Sequence, residues 1–165
     1  MLLTRTLESP VGTLTLAASA EGLRAILWPN EREGRVELGW TEEADDAPVL
    51  NECAKQITEY FAGERKEFDL PLDPEGTAFQ VKAWLALGEI PYGETATYTE
   101  QAARVGSPRA VRAIGAANGR NPLSIVLPCH RVIGADGSLT GFAGGLDAKR
   151  FLLDHERAHS GQTLF

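Results

Sequence analysis

The sequence predicts an α/β protein of two domains, in which a small sheet with one helix is followed by a mainly helical half. Three observations lead to this prediction. Alternation of apolar and polar residues, typical of strands, is confined to the first 28 residues. Helical spacing of apolar residues dominates after residue 77. Residues 67–76, which contain two prolines and a glycine, are typical of a linker. We place the domains at residues 1–74 and 75–165.

The first domain begins with three predicted strands, over residues 2–7, 11–19 and 22–28. The segments between them are short and contain the glycine, proline and serine residues that favour tight turns. Residues 30–46 are polar and acidic. This stretch predicts a loop with at most a short strand.

One helix is predicted to begin at Pro48 and to end before Gly63, since proline favours the first helical position and glycine the position after the last. Its apolar residues recur every three or four positions, at Val49, Leu50, Cys53, Ile57, Tyr60 and Phe61. Cys53 lies on this apolar stripe. We therefore predict that it is a small buried side chain rather than a reactive thiol.

The second domain opens with a predicted helix that Thr77 caps, with a glutamine three residues later as its capping-box partner. A short helix follows over residues 97–105. We expect the next helix to have Ser107 as its N-cap and Pro108 as its first residue, and to run to about Ala117. Two short helices joined at a glycine are typical of a helix-turn-helix, although any helical hairpin can share this pattern.

Charge is distributed unevenly along the chain, whose formal net charge is -7. Residues 1–80 carry 7 basic and 16 acidic side chains, whereas residues 81–165 carry 9 and 7. Residues 101–135 contain no acidic residue but five arginines, namely Arg104, Arg109, Arg112, Arg120 and Arg131. This asymmetry predicts a local site for a polyanion such as DNA or RNA, while a basic helix face that only meets solvent is the alternative.

The composition excludes several classes of protein. Hydrophobic residues make up 43% and charged residues 24%, which is typical of a globular chain rather than a disordered one. No apolar run approaches the ~20 residues that span a bilayer, and we expect no signal segment. Two cysteines are too few for a disulfide scaffold or a four-cysteine zinc site. We therefore expect a cytoplasmic protein with no membrane partner and no metal.

The strongest chemical signal lies at Cys129. The apolar residues 123–128 predict a buried strand that ends in the Pro-Cys-His-Arg run 128–131. A histidine and an arginine beside a cysteine favour the thiolate, a strong nucleophile, so we expect the pKa of this thiol below its free value of ~8.5. The histidine needs an acceptor for its other ring nitrogen, and Glu156, on a final helix predicted over residues 147–158, is the candidate. A buried structural cysteine is the alternative.

A set of motifs keeps its order and spacing from about residue 79 to residue 156. They are the runs Phe79-Gln80, Ile90–Glu94, Gly119–Pro122, Pro128–Val132, Gly141–Leu146 and Leu152–Glu156, with Trp84, Tyr98 and Lys149. In these residues the sequence resembles the O6-alkylguanine-DNA alkyltransferases. Its first 75 residues are similar to that family more loosely, chiefly in the opening strands and at residues 60–64.

The resemblance implies an RNase H-like first domain, a winged helix-turn-helix second domain, and direct reversal of damage in double-stranded DNA. Such a protein extrudes an O6-alkylated guanine from the duplex and transfers the alkyl group irreversibly to its own cysteine, here Cys129, once per chain. It implies no metal and no soluble cofactor. We expect a monomer, and leave open both cooperative assembly on DNA and activity on O4-alkylthymine.

The resemblance also implies catalytic roles. Cys129 would be the nucleophile, and His130, Glu156 and a water would form the relay that removes its proton. Tyr98 would donate a hydrogen bond to N3 of the departing guanine. Asn121 would brace the turn between the recognition helix and the active-site strand by bonding to backbone groups.

Substrate contacts follow from the resemblance in the same way. The backbone carbonyls of the nucleophile and of Val132 would accept hydrogen bonds from the guanine amino group. Phe142 and Ala143 stand where other members carry tyrosine and serine, so the backbone N–H groups of Ala143 and Gly144 would serve O6. Ser124 would lie at the pocket wall, where its size and polarity tune which adducts fit.

The DNA contacts implied by the resemblance lie on the second helix of the helix-turn-helix. Arg112 would enter the base stack as the damaged base leaves, which helps to offset an unstacking cost of a few kcal/mol. Arg109 lies on the same helix. Ala110, Ala113 and Gly115 are small residues that would let this helix approach the DNA backbone closely, in the minor groove.

Two other functions remain as alternatives. A non-catalytic sensor of alkylated DNA would lack the cysteine that is present here. A cysteine hydrolase built on Cys129, His130 and Glu156 would turn over repeatedly and react with acyl reagents. A single-use transferase would instead stop after one event per chain.

Overall fold

A four-stranded sheet with one helix packed against it forms the first half of the computed structural model, which describes residues 1–160. Its elements are β1 (Leu2–Ser9), β2 (Gly12–Ala18), β3 (Leu23–Leu27), β4 (Thr41–Glu43) and α1 (Pro48–Phe61). The strand order is β3-β2-β1-β4, with β4 parallel to β1 and the other neighbours antiparallel. The three predicted strands and the helix from Pro48 are confirmed to within two residues at each end.

Helix α1 turns its predicted apolar stripe toward the sheet. Leu50, Cys53, Ile57 and Tyr60 are all fully buried in the main core. Burial of Leu50 and of Ile57 stabilises the fold by roughly 1.5–3 kcal/mol each. Burial raises the pKa of Cys53 to about 12. The prediction that Cys53 is a small buried side chain is therefore confirmed.

Residues 67–76 are more than a linker. Leu72 pairs with Leu23 in an isolated parallel bridge, where Leu23 N donates to Pro71 O at 2.8 Å and Asp73 N donates to Leu23 O at 2.8 Å. Arg24 forms an ion pair with Asp73 at 2.8 Å. The segment thus satisfies backbone groups at the outer edge of β3, which would otherwise be exposed.

From residue 78 to residue 160 the chain forms four α-helices, one 3₁₀ turn and a two-stranded parallel sheet. Its elements are α2 (Ala78–Leu87), β5 (Ala96–Thr97), α3 (Tyr98–Arg104), α4 (Val111–Gly119), β6 (Val132–Ile133) and α5 (Leu146–Ser160). The capping box predicted at Thr77 is present, with Gln80 as its partner. Thr97 forms a second capping box with Glu100 at the start of α3.

The predicted start of the fourth helix at Ser107 and Pro108 is wrong, because α4 begins at Val111. Ser107 still belongs to the turn that ends α3, since its backbone N–H donates to Ala102 O at 3.0 Å. Ala110 N then donates to Ser107 O at 2.8 Å and closes a separate turn. Ala110 is therefore the N-cap, and it provides no side-chain capping bond.

The buried strand predicted over residues 123–128 is also wrong. The segment is buried, but it folds back on itself, because Leu127 N donates to Leu123 O at 2.8 Å. A single bridge to Ile26 is its only strand-like pairing within the described chain. Ile125 adopts a φ of 77°, which a β-branched residue rarely occupies. Residues Cys129–Arg131 then form one turn of 3₁₀ helix rather than a strand end.

The two halves of the chain share one hydrophobic core. Leu16 and Ile57 from the first half lie in the same buried cluster as Leu123, Val132 and Leu152 from the second. This shared core fixes the 3₁₀ turn at Cys129 relative to both halves. None of the helices within residues 1–160 combines the length and apolar character that crossing a membrane requires.

Candidate active site

Cys129 lies at the start of the 3₁₀ turn, with only 5% of its surface exposed. The backbone in front of it is held by Asn121, which is fully buried. Asn121 Nδ2 donates to Leu127 O at 2.8 Å, and Asn121 Oδ1 accepts from Leu123 N at 3.0 Å. One amide side chain thus closes the loop that connects α4 to the cysteine, and this is why the apolar run folds back instead of extending.

One polar side chain lies beside the sulfur, and a second is hydrogen-bonded to the first. Ser124 is fully buried, and its Oγ lies 4.0 Å from Cys129 Sγ. Trp28 Nε1, from the end of β3, donates to the same Ser124 Oγ at 3.3 Å. The sulfur is therefore part of a polar chain that begins in the first half of the protein.

The expectation of a lowered thiol pKa is wrong. Burial raises the pKa of Cys129 and outweighs the hydrogen bonds of Asn121 and Ser124 and the more distant charges of Lys149 and Arg35, which lower it. The neighbouring His130 and Arg131 do not stabilise the thiolate with a positive charge, because both side chains point toward Glu156. The resting cysteine is therefore a thiol at neutral pH, and its reaction as a nucleophile requires a base.

His130 has the arrangement of a general base. It is fully buried, and its Nε2 lies 2.6 Å from Glu156 Oε2. A carboxylate accepts, so Nε2 carries the proton and Nδ1 offers a lone pair. Nδ1 has no hydrogen-bond partner among residues 1–160. Burial lowers the pKa of His130 against the opposing effect of Glu156, so the ring is neutral and able to take a proton.

Glu156 is the centre of a buried hydrogen-bond network. Besides His130, its carboxylate accepts from Arg131 Nε at 2.8 Å, from Arg131 Nη2 at 3.1 Å, from Tyr60 Oη at 2.6 Å and from Gly93 N at 3.2 Å. Burial opposes ionisation of Glu156, but the hydrogen bonds and charges of His130 and Arg131 outweigh it and lower its pKa. The carboxylate is therefore charged and holds His130 in one tautomer.

Two residues of the network around Glu156 were not predicted to belong to it. Tyr60 was predicted only as a core residue, and Arg131 only as part of a basic stretch and as a charge that favours the thiolate of Cys129. Arg131 is in fact 6% exposed, and its Nη1 donates to Ile90 O at 2.6 Å, so it is not available to a polyanion. For both, the signal in the sequence was a polar group at a position that the pattern indicates to be buried. Such a group requires a partner, but the sequence does not say which.

Lys149 is a further buried charge beside the site. It is 1% exposed, and its Nζ donates to Val132 O at 2.7 Å and to Thr140 O at 2.9 Å. Burial lowers the pKa of Lys149. The ammonium ties the loop that follows β6 to the 3₁₀ turn. It also occupies one of the two acceptor positions of the Val132 carbonyl.

A cavity of about 680 Å³ lies between α4 and the loop before α5. The predicted site residues that line it are Tyr98, Arg112, Gly115, Phe142 and Ala143. Tyr98 Oη is hydrogen-bonded to Thr140 Oγ1 at 2.9 Å, and Thr140 also lines the cavity. The cavity therefore brings together residues from three separate motifs of the sequence.

The remaining predicted contact residues lie around α4 and behind the loop. Arg109, Arg112 and Ala113 are exposed, whereas Ala110 is half-buried. Gly144 packs against the ring of Trp28, where a Cβ atom would lie 2.7 Å from the ring. Position 144 therefore accepts only glycine without displacement of the indole.

Arg35 connects the first half of the chain to the end of α4. Its guanidinium forms an ion pair with Glu31 and donates to Asn121 O at 2.9 Å and to Gly119 O at 3.3 Å. Arg35 also lines the 680 Å³ cavity, together with Arg32 of the same loop. The acidic loop before β4 thus supports the residue that closes the loop in front of Cys129.

Comparison with known proteins gives this geometry a family. Residues 2–74 match the family model described as "6-O-methylguanine DNA methyltransferase, ribonuclease-like domain". Residues 78–158 match the one described as "6-O-methylguanine DNA methyltransferase, DNA binding domain". The predicted fold class, a ribonuclease-like α/β domain followed by a helical DNA-binding domain, is confirmed.

Relatives match along nearly the whole chain. The methylated-DNA–protein-cysteine methyltransferase of Methanosarcina acetivorans is 51% identical over 90% of this chain and 94% of its own. That of Mycobacterium tuberculosis is 47% identical over 98% and 97%. The solved structure of Mycobacterium tuberculosis OGT in complex with DNA has a TM-score of 0.85 at 44% identity, over 95% of this chain and 94% of that one. Taken with the buried cysteine and its histidine–glutamate pair, these matches make the chain a member of the 6-O-methylguanine DNA methyltransferase family.

Proposed function

We propose that Cys129 takes up the alkyl group from O6 of guanine in double-stranded DNA, once per chain. DNA repair by alkyl transfer to a cysteine is the activity of the family to which the chain belongs. The observation that carries the proposal for Cys129 is the buried pair formed by His130 and Glu156, with Nε2 and Oε2 2.6 Å apart. It provides a base in the residue next to a thiol that cannot ionise unaided.

The proposed reaction begins with removal of the thiol proton. A water carries the proton from Cys129 Sγ to His130 Nδ1, and the charge of Glu156 stabilises the imidazolium that forms. The sulfur then attacks the alkyl carbon in line with the bond to O6. The S–C bond forms, the C–O6 bond breaks, and its electron pair leaves with the guanine. The product is an uncharged thioether, so the protein is consumed.

Guanine is proposed to be held by residues of the 680 Å³ cavity. Tyr98 lines the cavity. Its hydroxyl donates to N3, where it offsets the charge that develops on the leaving base. The second lone pair of the Val132 carbonyl accepts from the guanine amino group, together with the carbonyl of Cys129. The backbone N–H groups of Ala143 and Gly144 serve O6, with Phe142 beside them.

The DNA surface is proposed to be the exposed face of α4. Arg112 and Ala113 lie on α4 and are exposed. Arg109 is exposed too, but it precedes α4 instead of lying on it as predicted. Arg112 also lines the cavity in which the guanine is proposed to bind, so it stands between the duplex and the pocket. This position suits a side chain that fills the stack as the base leaves. One copy of the chain carries all of these groups, which supports action as a monomer.

Intact-protein mass spectrometry after incubation with an O6-methylguanine duplex tests the proposal. We expect a gain of one methyl group that maps to Cys129 and saturates at one per chain. An unchanged mass with the duplex still bound would indicate a sensor of damage. An unchanged mass without binding would favour the hydrolase, which labelling by an acyl probe would then detect.

Replacing Arg112 with alanine is expected to slow methyl transfer by about tenfold to a hundredfold at limiting protein, because the gap in the base stack is no longer filled. The measurement is the single-turnover rate with an O6-methylguanine duplex. Arg157→Ala is the control, since Arg157 is an equally exposed charge on α5 whose ion-pair partner is Asp154. Equal losses in both variants would show that only net charge matters.

A further inference from the structure

Trp28 belongs to the first half of the chain but contacts three residues of the site in the second half, namely Ser124, Phe142 and Gly144. It follows β3 and is 4% exposed. Its Nε1 donates to Ser124 Oγ at 3.3 Å. Its ring meets Phe142 edge-on, with centroids 5.3 Å apart, and lies directly beneath Gly144. These contacts leave the indole one orientation, with its N–H aimed at Ser124.

The indole N–H determines how the Ser124 hydroxyl can be used. An indole can only donate, so Ser124 Oγ accepts from it and keeps its own proton for another acceptor. The sulfur of Cys129 is the other polar atom within reach of that hydroxyl among the described residues, at 4.0 Å. A thiolate can only accept, so Ser124 is the donor once the sulfur has lost its proton. A hydroxyl that already accepts a hydrogen bond is a stronger donor.

We propose that Trp28 is a positioning residue for alkyl transfer, which acts through Ser124 to stabilise the Cys129 thiolate. The proposal rests on the proposed function, in which Cys129 is the nucleophile. It assigns the first domain a direct part in the reactivity of the cysteine. A purely structural Trp28 would support the loop at Phe142 and Gly144 without changing the acidity of the thiol.

The test measures the reaction of Cys129 with iodomethane as a function of pH in the absence of DNA. The sulfur displaces iodide only as the thiolate, so the midpoint of the rate profile reports the pKa of the thiol. Trp28→Phe keeps an aromatic ring but removes the N–H, and Ser124→Ala removes the hydroxyl. We expect each variant to move the midpoint to higher pH and to slow methylation at neutral pH roughly threefold to tenfold.

The double variant distinguishes action through Ser124 from a separate effect of packing. If Trp28 acts through Ser124, the variant that carries both changes should react no more slowly than Ser124→Ala alone. Additive losses, or a Trp28→Phe profile that coincides with that of the parent protein, would overturn the proposal. Trp40→Phe is the control, because Trp40 is 76% exposed and should leave the profile unchanged.

Failure of this proposal can be separated from failure of the proposed function. Transfer of a methyl group from an O6-methylguanine duplex is measured on the same variants by mass spectrometry. If the parent protein is methylated by the duplex while Trp28→Phe shows an unshifted iodomethane profile, the proposed function stands and the role of Trp28 is wrong. If the duplex methylates none of the proteins, the proposed function itself is wrong.

Discussion

Replacing Cys129 with alanine is expected to abolish transfer of the methyl group from O6-methylguanine DNA while leaving binding to the duplex intact. The thiol is the only group in the proposed reaction that forms a bond to the methyl carbon, so no residual transfer should remain. Binding should survive, because the proposed DNA contacts lie on α4 and just before it, and Cys129 is only 5% exposed. The measurement pairs mass spectrometry for transfer with fluorescence anisotropy for binding.

The second cysteine of the chain provides the matched control. Cys53 is fully buried on α1, and burial raises its pKa to about 12. Cys53→Ala should therefore accept one methyl group per chain, as the parent protein does. A Cys129→Ala variant that still gained a methyl group would show that another residue is the acceptor.

Glu156→Gln is expected to lower both stability and activity strongly. The carboxylate accepts from His130, Arg131, Tyr60 and the Gly93 N–H, and the neutral amide would leave the charge of Arg131 buried without its partner. Loss of one member of a buried ion pair costs about 3–5 kcal/mol, which corresponds to a midpoint of thermal unfolding lower by about 10 °C. Calorimetry measures this change directly.

The same substitution should slow methyl transfer by about 10²-fold to 10⁴-fold, the range for loss of general base catalysis. Without the carboxylate, neither the tautomer of His130 nor the imidazolium that forms is stabilised. Tyr60→Phe is the control, since it removes one donor to Glu156 but keeps the contacts of His130 and Arg131. A Glu156→Gln variant that transferred as fast as Tyr60→Phe would contradict the proposed relay.

Lowering the pH should reduce the folding stability of the parent protein through His130 and Glu156. His130 and Glu156 both have pKa values lowered by folding, so the unfolded chain binds more protons than the folded one. The stabilising contribution of each group is present above its unfolded pKa and is lost as the pH falls, from about 6.5 for the histidine and about 4.3 for the carboxylate. In Glu156→Gln the second loss should disappear from a series of urea denaturation curves measured between those pH values and pH 3.

Local features of the fold were predictable because a few neighbouring residues determine them. Pro48 and Gly63 mark the ends of α1, and the capping box at Thr77 needs only residues three positions apart. The prediction for the start of α4 was wrong for a reason that is also local, since the backbone N–H of Ser107 is hydrogen-bonded in the turn that ends α3. The sequence Ser-Pro does not show whether the backbone of the serine is already hydrogen-bonded in a preceding turn.

The site was predictable only where residue types within the second half of the chain indicate a pairing. The pairing of His130 with Glu156 was predicted from residue types, and the two side chains are in contact. Trp28 and Tyr60 were missed, because each reaches its partner across 96 positions of sequence. The prediction of a lowered pKa for Cys129 was wrong, because burial raises that pKa. Depth of burial is a property of the whole fold and cannot be deduced from the neighbouring residues in the sequence.

The wide separation between Tyr60 and Glu156 has a consequence for biosynthesis. Tyr60 leaves the ribosome well before Glu156, so the nascent chain cannot complete this network until α5 has emerged. The contacts that complete the core at the cysteine are therefore among the last to form, as is general for pairings between distant segments. A chain that ended before α5 would carry Cys129 and His130 without the carboxylate of Glu156, and we expect such a chain to accept no methyl group.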